Sequence, residues 1–186
     1  MSRKTAVIVL AEGFEEIEAV TPIDVLRRAG VEVIIAGVGK TGIKGSRGVR
    51  LEADTRLEDY TGVPDMVILP GGLPGAENLK NSKAVSAFIE RVRKNDKIVA
   101  AICAAPALVL TGQSGMLDGK QMTCYPGYEK SLGSKIFFKE DRVVKDGKLV
   151  TSRGPGTAME FSLELVRQLV DDAMAQKLAD AMLVKA

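Results

Sequence analysis

Cys103 is the side chain that the sequence places best for covalent chemistry, because it lies between an apolar run and a helix-forming run. Residues 98–102 read IVAAI, which is typical of a strand that is buried on both faces. Residues 104–110 read AAPALVL and favour a helix, with Pro106 in the first turn, where its missing N–H costs nothing. A thiol at this junction meets unpaired N–H groups and the positive end of the helix dipole, which stabilise a thiolate. The pattern therefore predicts a nucleophilic cysteine on a strand-to-helix turn; the alternative is a small buried apolar residue.

Glu18 is the carboxylate that could assist such a cysteine. It lies four residues after Phe14 and one after Ile17, so it borders the apolar stripe of its helix and can face the sheet edge. A carboxyl group held there out of water has a raised pKa and can donate a hydrogen bond to a thiolate. The alternative is a solvated carboxylate that the helix dipole favours, a role that Glu15 and Glu16 fill more naturally.

Backbone donors and cations complete the set of candidate groups. Gly71 and Gly72 follow a buried apolar run, and their N–H groups could bind an oxyanion or could simply belong to an ordinary turn. Three arginines could bind an anion or could be solvated surface residues: Arg28, Arg47 and Arg153. Cys124 could resolve an oxidised Cys103 as a disulfide, although a small core residue is the more common role of such a cysteine.

Strands alternate with helices along the chain, which predicts parallel βαβ units with helices on both faces of a sheet. Buried strands are predicted at residues 5–11, 32–38, 65–69 and 98–102, and helices at 15–29, 82–95, 157–169 and beyond. Antiparallel pieces are predicted at 46–53, a short strand and a loop at 121–134, and a hairpin around Asp146 and Gly147. Ligands of such sheets bind beyond the carboxyl ends of the strands, where residues 11–18, residues 70–76 and Cys103 meet. The prediction is one α/β sandwich domain over residues 1–186.

The composition excludes several classes of function. The 186 residues are 46% apolar and 27% charged with a net charge of +2, so nucleic acid and membrane surfaces are not expected partners. No apolar run approaches the roughly 20 residues of a membrane span, and residues 1–5 lack the apolar core of a signal peptide, which predicts a cytoplasmic protein. The two cysteines form no disulfide framework. Because the chain has no histidine, it cannot assemble a Ser-His or Cys-His site by itself, and no metal-ligand spacing is present.

Four motifs together resemble the ThiJ/PfpI superfamily, in the branch that contains the parkinsonism-associated protein deglycase and its bacterial counterparts. They read AEGFEEIEAV, LPGG, AAICAAP and TSRGPGT, and the resemblance runs from Val7 to about Val184. It implies a flavodoxin-like α/β sandwich, a homodimer and a site without a cofactor. Cys103 then corresponds to the reactive, readily oxidised cysteine, and Glu18 to the protonated carboxyl beside it. The implied backbone donors around the sulfur are those of Gly71, Gly72 and Ala104.

The resemblance also assigns residues to the pocket or the dimer interface: Glu15, Arg28, Arg47, Tyr125, Arg153 and Pro155. One of them departs from the family's pattern, because some members carry a histidine next to a proline where this chain has Tyr125. A phenol with an ordinary pKa of about 10 is a poor general base near pH 7, which disfavours peptidase and amidase activities. Any catalysis then depends on Cys103 and Glu18 without a histidine as general base.

The residues and the resemblance together imply an enzyme of oxidative and carbonyl stress defence. In this hypothesis Cys103 adds to the aldehyde carbon of glyoxal or methylglyoxal, Glu18 assists proton transfer across the two carbons, and water releases a hydroxy acid. Removal of such aldehydes from glycated proteins is a related activity. The alternative is a redox-sensing stress protein or chaperone that acts through oxidation of Cys103.

Overall fold

Strands and helices alternate in the computed structural model, which describes residues 3–184. The strands are β1 (Thr5–Leu10), β2 (Glu32–Gly37), β3 (Gly42–Lys44), β4 (Arg50–Glu52), β5 (Thr55–Arg56), β6 (Met66–Leu69), β7 (Ile98–Ile102), β8 (Gln121–Met122), β9 (Phe137–Phe138), β10 (Val143–Asp146) and β11 (Leu149–Ser152). The α-helices are α1 (Glu16–Arg28), α2 (Gly75–Asn81), α3 (Lys83–Lys94), α4 (Ala105–Leu108), α5 (Ala158–Leu169) and α6 (Asp172–Ala181). No helix in these described residues is both long enough and apolar enough to cross a bilayer.

The central sheet of the described chain has seven strands in the order β10-β11-β7-β6-β1-β2-β5. Its neighbours are parallel except for β10, which runs antiparallel to β11 as one arm of the predicted hairpin. Strand β1 lies inside the sheet, where Ile8 is in register with Ile35 of β2 and Ile68 of β6. The small strands pair separately, β3 with β4 and β8 with β9. The predicted α/β architecture with a mostly parallel sheet is confirmed.

Two apolar clusters sandwich the sheet, and the side chains of β1 alternate between them. Ile8 belongs to the cluster that α1 and α5 complete, where Phe161 is fully buried. Val7 belongs to the other cluster, which α3 completes with Phe88. A strand covered on both faces needs an apolar residue at every position, which is why the run TAVIVL does not alternate with polar residues.

The helices largely match the sequence pattern, and the differences have local causes. The sequence does not predict α2, because its seven residues begin with glycine and carry too few apolar side chains for a helical period. Helix α4 is shorter than the AAPALVL run suggests and continues as a 3-10 turn at Leu110–Gly112. The β-branched Val109 and Thr111, followed by Gly112, lower the helix propensity there.

Candidate active site

Three segments meet at the carboxyl edge of the sheet, as a parallel topology requires. They follow β1, β6 and β7 and carry Glu18, Gly71 and Cys103 respectively. A backbone hydrogen bond joins the first two, since the N–H of Glu15 donates to the carbonyl of Gly71 over 3.1 Å. The meeting of these three segments, which the sequence predicted, is therefore present in the fold.

Cys103 occupies a strained turn between β7 and α4. Its φ angle is 66°, in the left-handed region that residues other than glycine rarely adopt. Such a conformation costs about 1–3 kcal/mol and persists only where neighbouring contacts fix it. Two hydrogen bonds do so: Cys103 N donates to Ser152 O over 3.0 Å, and Tyr125 N donates to Cys103 O over 2.9 Å. The sulfur, on a residue that is 9% exposed, is thereby presented at the end of the strand in the manner of a nucleophile elbow.

Glu18 is fully buried beside the cysteine. Its Oε2 accepts a hydrogen bond from the N–H of Gly71 over 2.8 Å, whereas Oε1 has no hydrogen-bond partner among residues 3–184. Burial raises the pKa of Glu18 to about 7, because desolvation of the carboxylate outweighs the hydrogen bond from Gly71. Near neutral pH the group is therefore protonated in a large fraction of molecules, and Oε1 is the oxygen free to carry the proton.

The Cys103 sulfur is subject to opposing electrostatic effects. Burial raises the pKa of the thiol, and an ionised Glu18 carboxylate beside it raises that pKa further. The N–H groups of Ala104 and Gly72 act in the opposite direction, because they bond to the sulfur and favour a thiolate. Because the Glu18 carboxyl group has the lower pKa of the two, it ionises first, and above about pH 7 the pair holds one proton, which lies on the sulfur. The sequence predicted a thiolate stabilised by the N–H groups and by a protonated Glu18. That prediction is wrong for the resting site, because burial of the sulfur raises the pKa of the thiol and keeps it protonated near neutral pH.

Gly71 and Gly72 are needed for the close approach of these groups. A Cβ atom at Gly71 would lie 2.7 Å from Cys103 Cβ and 2.8 Å from Glu18 Oε2. Gly72 has a φ of +86°, and a Cβ atom there would lie 2.4 Å from the backbone nitrogen of Glu15. The sequence predicted donors around the sulfur at Gly71, Gly72 and Ala104. The N–H of Gly71 instead donates to the Glu18 carboxyl group over 2.8 Å.

Cys103 opens into a cavity of about 330 Å³. The residues predicted for the site that line it are Glu15, Arg47, Gly72, Ala104, Tyr125 and Pro155. Sequence reasoning missed three more lining residues: Ser46, Leu73 and Tyr128. For Leu73 the sequence does carry a signal, because this residue directly follows the LPGG motif. Within residues 3–184, no group of three or more Cys, Asp or Glu side chains is arranged to hold a metal ion.

Two of the predicted arginines do not line this cavity. Arg28 is exposed in the last turn of α1 and donates to the carboxylate of Asp24 over 2.8 Å. Arg153 donates to the carbonyl of Glu140 over 2.9 Å and lines a neighbouring cavity instead. The acceptors of both side chains, Asp24 and Glu140, lie outside the residues that line the Cys103 cavity. Their part in a dimer interface stays a prediction.

Glu16 departs from the solvated role that the sequence suggested for it. It is buried, and its carboxylate accepts hydrogen bonds from the N–H groups of Arg47 over 2.7 Å and Val49 over 3.3 Å. Burial acts to raise the pKa of Glu16, but these and other hydrogen bonds together hold that pKa below its ordinary value. The carboxylate thus fixes the turn of residues 45–49, which brings Arg47 to the cavity wall.

Cys124 behaves as a core residue. It is a free, fully buried thiol in the apolar cluster that α3 completes, whereas Cys103 belongs to the cluster on the opposite face. Burial raises the pKa of the Cys124 thiol to about 11. These surroundings favour the apolar role over that of a resolving cysteine.

Residues 4–168 of the chain match the sequence model of the DJ-1/PfpI family. The chain belongs to this family. It is 44% identical to Protein DJ-1 homolog B of Arabidopsis thaliana over 99% of its own length, but it spans only 42% of that longer protein. It is 34% identical to the glutathione-independent glyoxalase DJR-1.2 of Caenorhabditis elegans, over 90% of each chain.

A solved structure of oxidized DJ-1 from Toxoplasma gondii has the same fold as this DJ-1/PfpI chain. The TM-score is 0.93 at 38% sequence identity, with 98% of this chain and 100% of that chain covered. The expected flavodoxin-like α/β fold and the resemblance to the superfamily are both confirmed.

Proposed function

We propose that Cys103 and Glu18 convert 2-oxoaldehydes such as methylglyoxal and glyoxal into 2-hydroxy acids without a cofactor. The observation that carries the proposal is the buried pair itself, a cysteine on a strained elbow beside a carboxyl group with a pKa of about 7. A carboxyl group with that pKa can both give and take a proton at neutral pH. Similarity to a Caenorhabditis elegans protein named a glutathione-independent glyoxalase supports the same chemistry.

The first step is addition of Cys103 to the aldehyde carbon, in which the ionised carboxylate of Glu18 takes the proton of the thiol and the resulting thiolate attacks. The C–S bond forms as the carbonyl π bond breaks, and the oxygen takes the proton of Glu18 to give a hemithioacetal. The N–H groups of Gly72 and Ala104, which face the sulfur, are positioned to stabilise negative charge that develops on that oxygen.

Glu18 then moves a proton between the two carbons of the bound substrate. Its carboxylate removes the proton of the former aldehyde carbon, and the electron pair forms an enediolate. The hydroxyl proton of that carbon then moves to the neighbouring oxygen, and Glu18 returns its proton to the neighbouring carbon. One carbon is thereby oxidised to a thioester while the other is reduced to an alcohol, so no external oxidant or reductant is needed. Water cleaves the thioester, which releases the 2-hydroxy acid and restores the Cys103 thiol.

The test is formation of lactate from methylglyoxal by the purified protein in the absence of glutathione. We expect Cys103→Ser to abolish the reaction and Glu18→Gln to slow it by about 10²–10⁴-fold, the usual contribution of a general acid–base group. Cys124→Ala is the matched control and should keep the activity, since that thiol lies in the other apolar cluster. Lactate formation at an undiminished rate by Cys103→Ser would refute the proposal.

Removal of aldehydes from glycated proteins is a related activity of the same pair. It can be distinguished by incubating the protein with a preformed methylglyoxal adduct of arginine. Loss of the adduct faster than its spontaneous dissociation supports direct deglycation. A rate equal to spontaneous dissociation shows that only the free aldehyde is consumed.

A second function, redox sensing by Cys103, is favoured by the same site and by similarity to an oxidized DJ-1 structure. The thiolate reduces one peroxide to water to give a sulfenate, and a second peroxide gives a sulfinate to which protonated Glu18 donates a hydrogen bond. Intact-mass spectra after mild peroxide treatment should then show two added oxygens on Cys103. We place both functions in the cytosol, where a reducing environment keeps the cysteines as thiols.

A further inference from the structure

Two tyrosines form one side of the cavity that contains Cys103. The rings of Tyr125 and Tyr128 are arranged edge to face, with their centroids 6.4 Å apart and an angle of 74° between their planes. Both rings line the cavity, and Tyr125 is 44% exposed. Neither ring is required by the chemistry proposed for Cys103 and Glu18. Exposed aromatic rings inside a reaction cavity are suited to packing against an apolar group of a ligand.

The backbone ties this aromatic pair directly to the nucleophile. Tyr125 N donates to the carbonyl of Cys103 over 2.9 Å, and Tyr128 N donates to the carbonyl of Tyr125 over 3.2 Å. Gly127, with a φ of +96°, allows the turn that brings the second ring beside the first. The Tyr125 ring rests against Gly154, where a Cβ atom would lie 3.1 Å from Tyr125 Cδ2. The rings are thus held at a fixed place relative to the sulfur.

The cavity has more room than a two- or three-carbon aldehyde fills. At roughly 30 Å³ for each water-sized group, its volume of about 330 Å³ corresponds to on the order of ten non-hydrogen atoms. Methylglyoxal bound to Cys103 leaves the aromatic side largely uncovered. Leu73 and Pro155 also line the cavity, so the unfilled part is mainly apolar.

We propose that Tyr125 and Tyr128 form an aromatic subsite that selects 2-oxoaldehydes carrying an aryl or comparably large apolar group. The proposal rests on the function proposed above and names its preferred substrate class. Phenylglyoxal is the representative probe, with its aldehyde carbon at the Cys103 sulfur and its ring against the two tyrosines. The bonds made and broken are those given for methylglyoxal, and the product is mandelate.

The first test compares kcat/KM for phenylglyoxal and methylglyoxal in initial rates, before arginine side chains are modified. We expect wild-type protein to have the higher kcat/KM for phenylglyoxal. The double substitution of Tyr125→Leu and Tyr128→Leu should lower that preference by about tenfold, because the aromatic pairing with the substrate is lost. The loss should lie in KM for phenylglyoxal, because the reacting groups are untouched. Tyr60→Leu is the matched control, since that ring pairs with Phe88 on α3. A preference unchanged by the double substitution overturns the proposal.

The second test measures binding without turnover. Acetophenone, an aryl ketone that lacks the aldehyde, is titrated into Cys103→Ser with and without the two tyrosine substitutions, and binding is followed by saturation-transfer NMR. Binding that weakens about tenfold when the tyrosines are replaced supports the subsite, and equal binding overturns it. If acetophenone binding depends on the tyrosines while wild-type protein converts neither aldehyde, the subsite stands and the function proposed above fails.

Discussion

A single carboxyl group, Glu18, links the stability of this protein to its chemistry. It is fully buried, one oxygen is held by Gly71, and the other has no partner among the described residues. Ionisation of such a group is unfavourable in the folded state, which is why its pKa rises to about 7 from an ordinary value of 4.5. The feature that suits Glu18 to proton transfer is therefore one that costs stability when the group is charged.

We predict that Glu18→Gln stabilises the protein more at pH 8 than at pH 5. Between pH 4.5 and about 7 the folded state keeps the Glu18 proton that the unfolded state has released, so the contribution of Glu18 to the free energy of unfolding falls as pH rises through this window. Above about pH 7 the full cost of the charged group is present, about 3 kcal/mol from the difference in pKa. Glutamine does not titrate and avoids this cost.

Urea denaturation at the two pH values measures the effect. Glu77→Gln makes the same chemical change on an exposed face of α2 and should change the free energy of unfolding little. If the stability difference between Glu18→Gln and wild type is equal at pH 5 and pH 8, the buried carboxyl does not titrate as the structure implies.

At the scale of elements, the turn of residues 45–49 is positioned by helix α1. Glu16 in the first turn of the helix accepts hydrogen bonds from Arg47, Val49 and Ser46 of that turn. Gly45 lies so close to this carboxylate that a Cβ atom there would approach Glu16 Oε1 within 2.4 Å. The cavity wall at Arg47 therefore depends on a contact between two elements that are distant in sequence.

We predict that Glu16→Ala loosens this turn without disabling the nucleophile. Loss of hydrogen bonds to a charged, buried acceptor costs about 1.5–3 kcal/mol, so the amides of Arg47 and Val49 should exchange with solvent at least about tenfold faster. Alkylation of Cys103 by iodoacetamide should keep its wild-type rate, because Glu18 and the elbow are unchanged.

Hydrogen exchange followed by NMR measures the turn, and peptide mass spectrometry measures the alkylation. Asp24→Ala is the control, since that carboxylate lies on the same helix but pairs with Arg28 within the helix. Unaltered exchange at Arg47 and Val49 in Glu16→Ala contradicts the positioning role.

At the scale of the whole molecule, α1 leaves apolar side chains uncovered. Ile17 is 53% exposed and Val20 is 44% exposed, and Val49 beside the helix start is 50% exposed. Arg28 falls on the same face of α1 at helical spacing from Ile17. Exposed apolar side chains on one helix face are typical of association surfaces, and the family resemblance predicts a homodimer.

We predict that the protein is a homodimer in solution and that Ile17→Glu weakens it at least about tenfold, because a carboxylate in an apolar interface is costly to desolvate. Light scattering coupled to size-exclusion chromatography across a range of concentrations measures the mass. Val63→Glu places the same charge at another exposed apolar position and should leave the dimer intact. A wild-type protein that is monomeric at all concentrations contradicts the prediction.

Much of the fold was readable from local patterns. The buried runs before Gly13, Gly71 and Cys103 became strands β1, β6 and β7, because short apolar runs bounded by turn residues suit strands covered on both faces. The Asp146–Gly147 signal became the β10–β11 hairpin for an equally local reason. The sequence pattern did not predict helix α2, because GAENLKN shows no helical period and the stability of so short a helix comes from packing against its neighbours.

The sequence by itself determined that this is an α/β protein with a cysteine at a strand-to-helix junction and a carboxylate at the start of the first helix. Those features follow from residue order within a few turns of chain. Only the tertiary structure decided that Glu18 accepts a hydrogen bond from the amide of Gly71, 53 residues away, and that Glu16 is buried under the turn of residues 45–49. It also decided that Arg28 and Arg153 bond to acceptors outside the Cys103 cavity. Burial and hydrogen-bond partners are set by contacts between distant segments, and it is burial that fixes the pKa of Glu18 and so the protonation of the site.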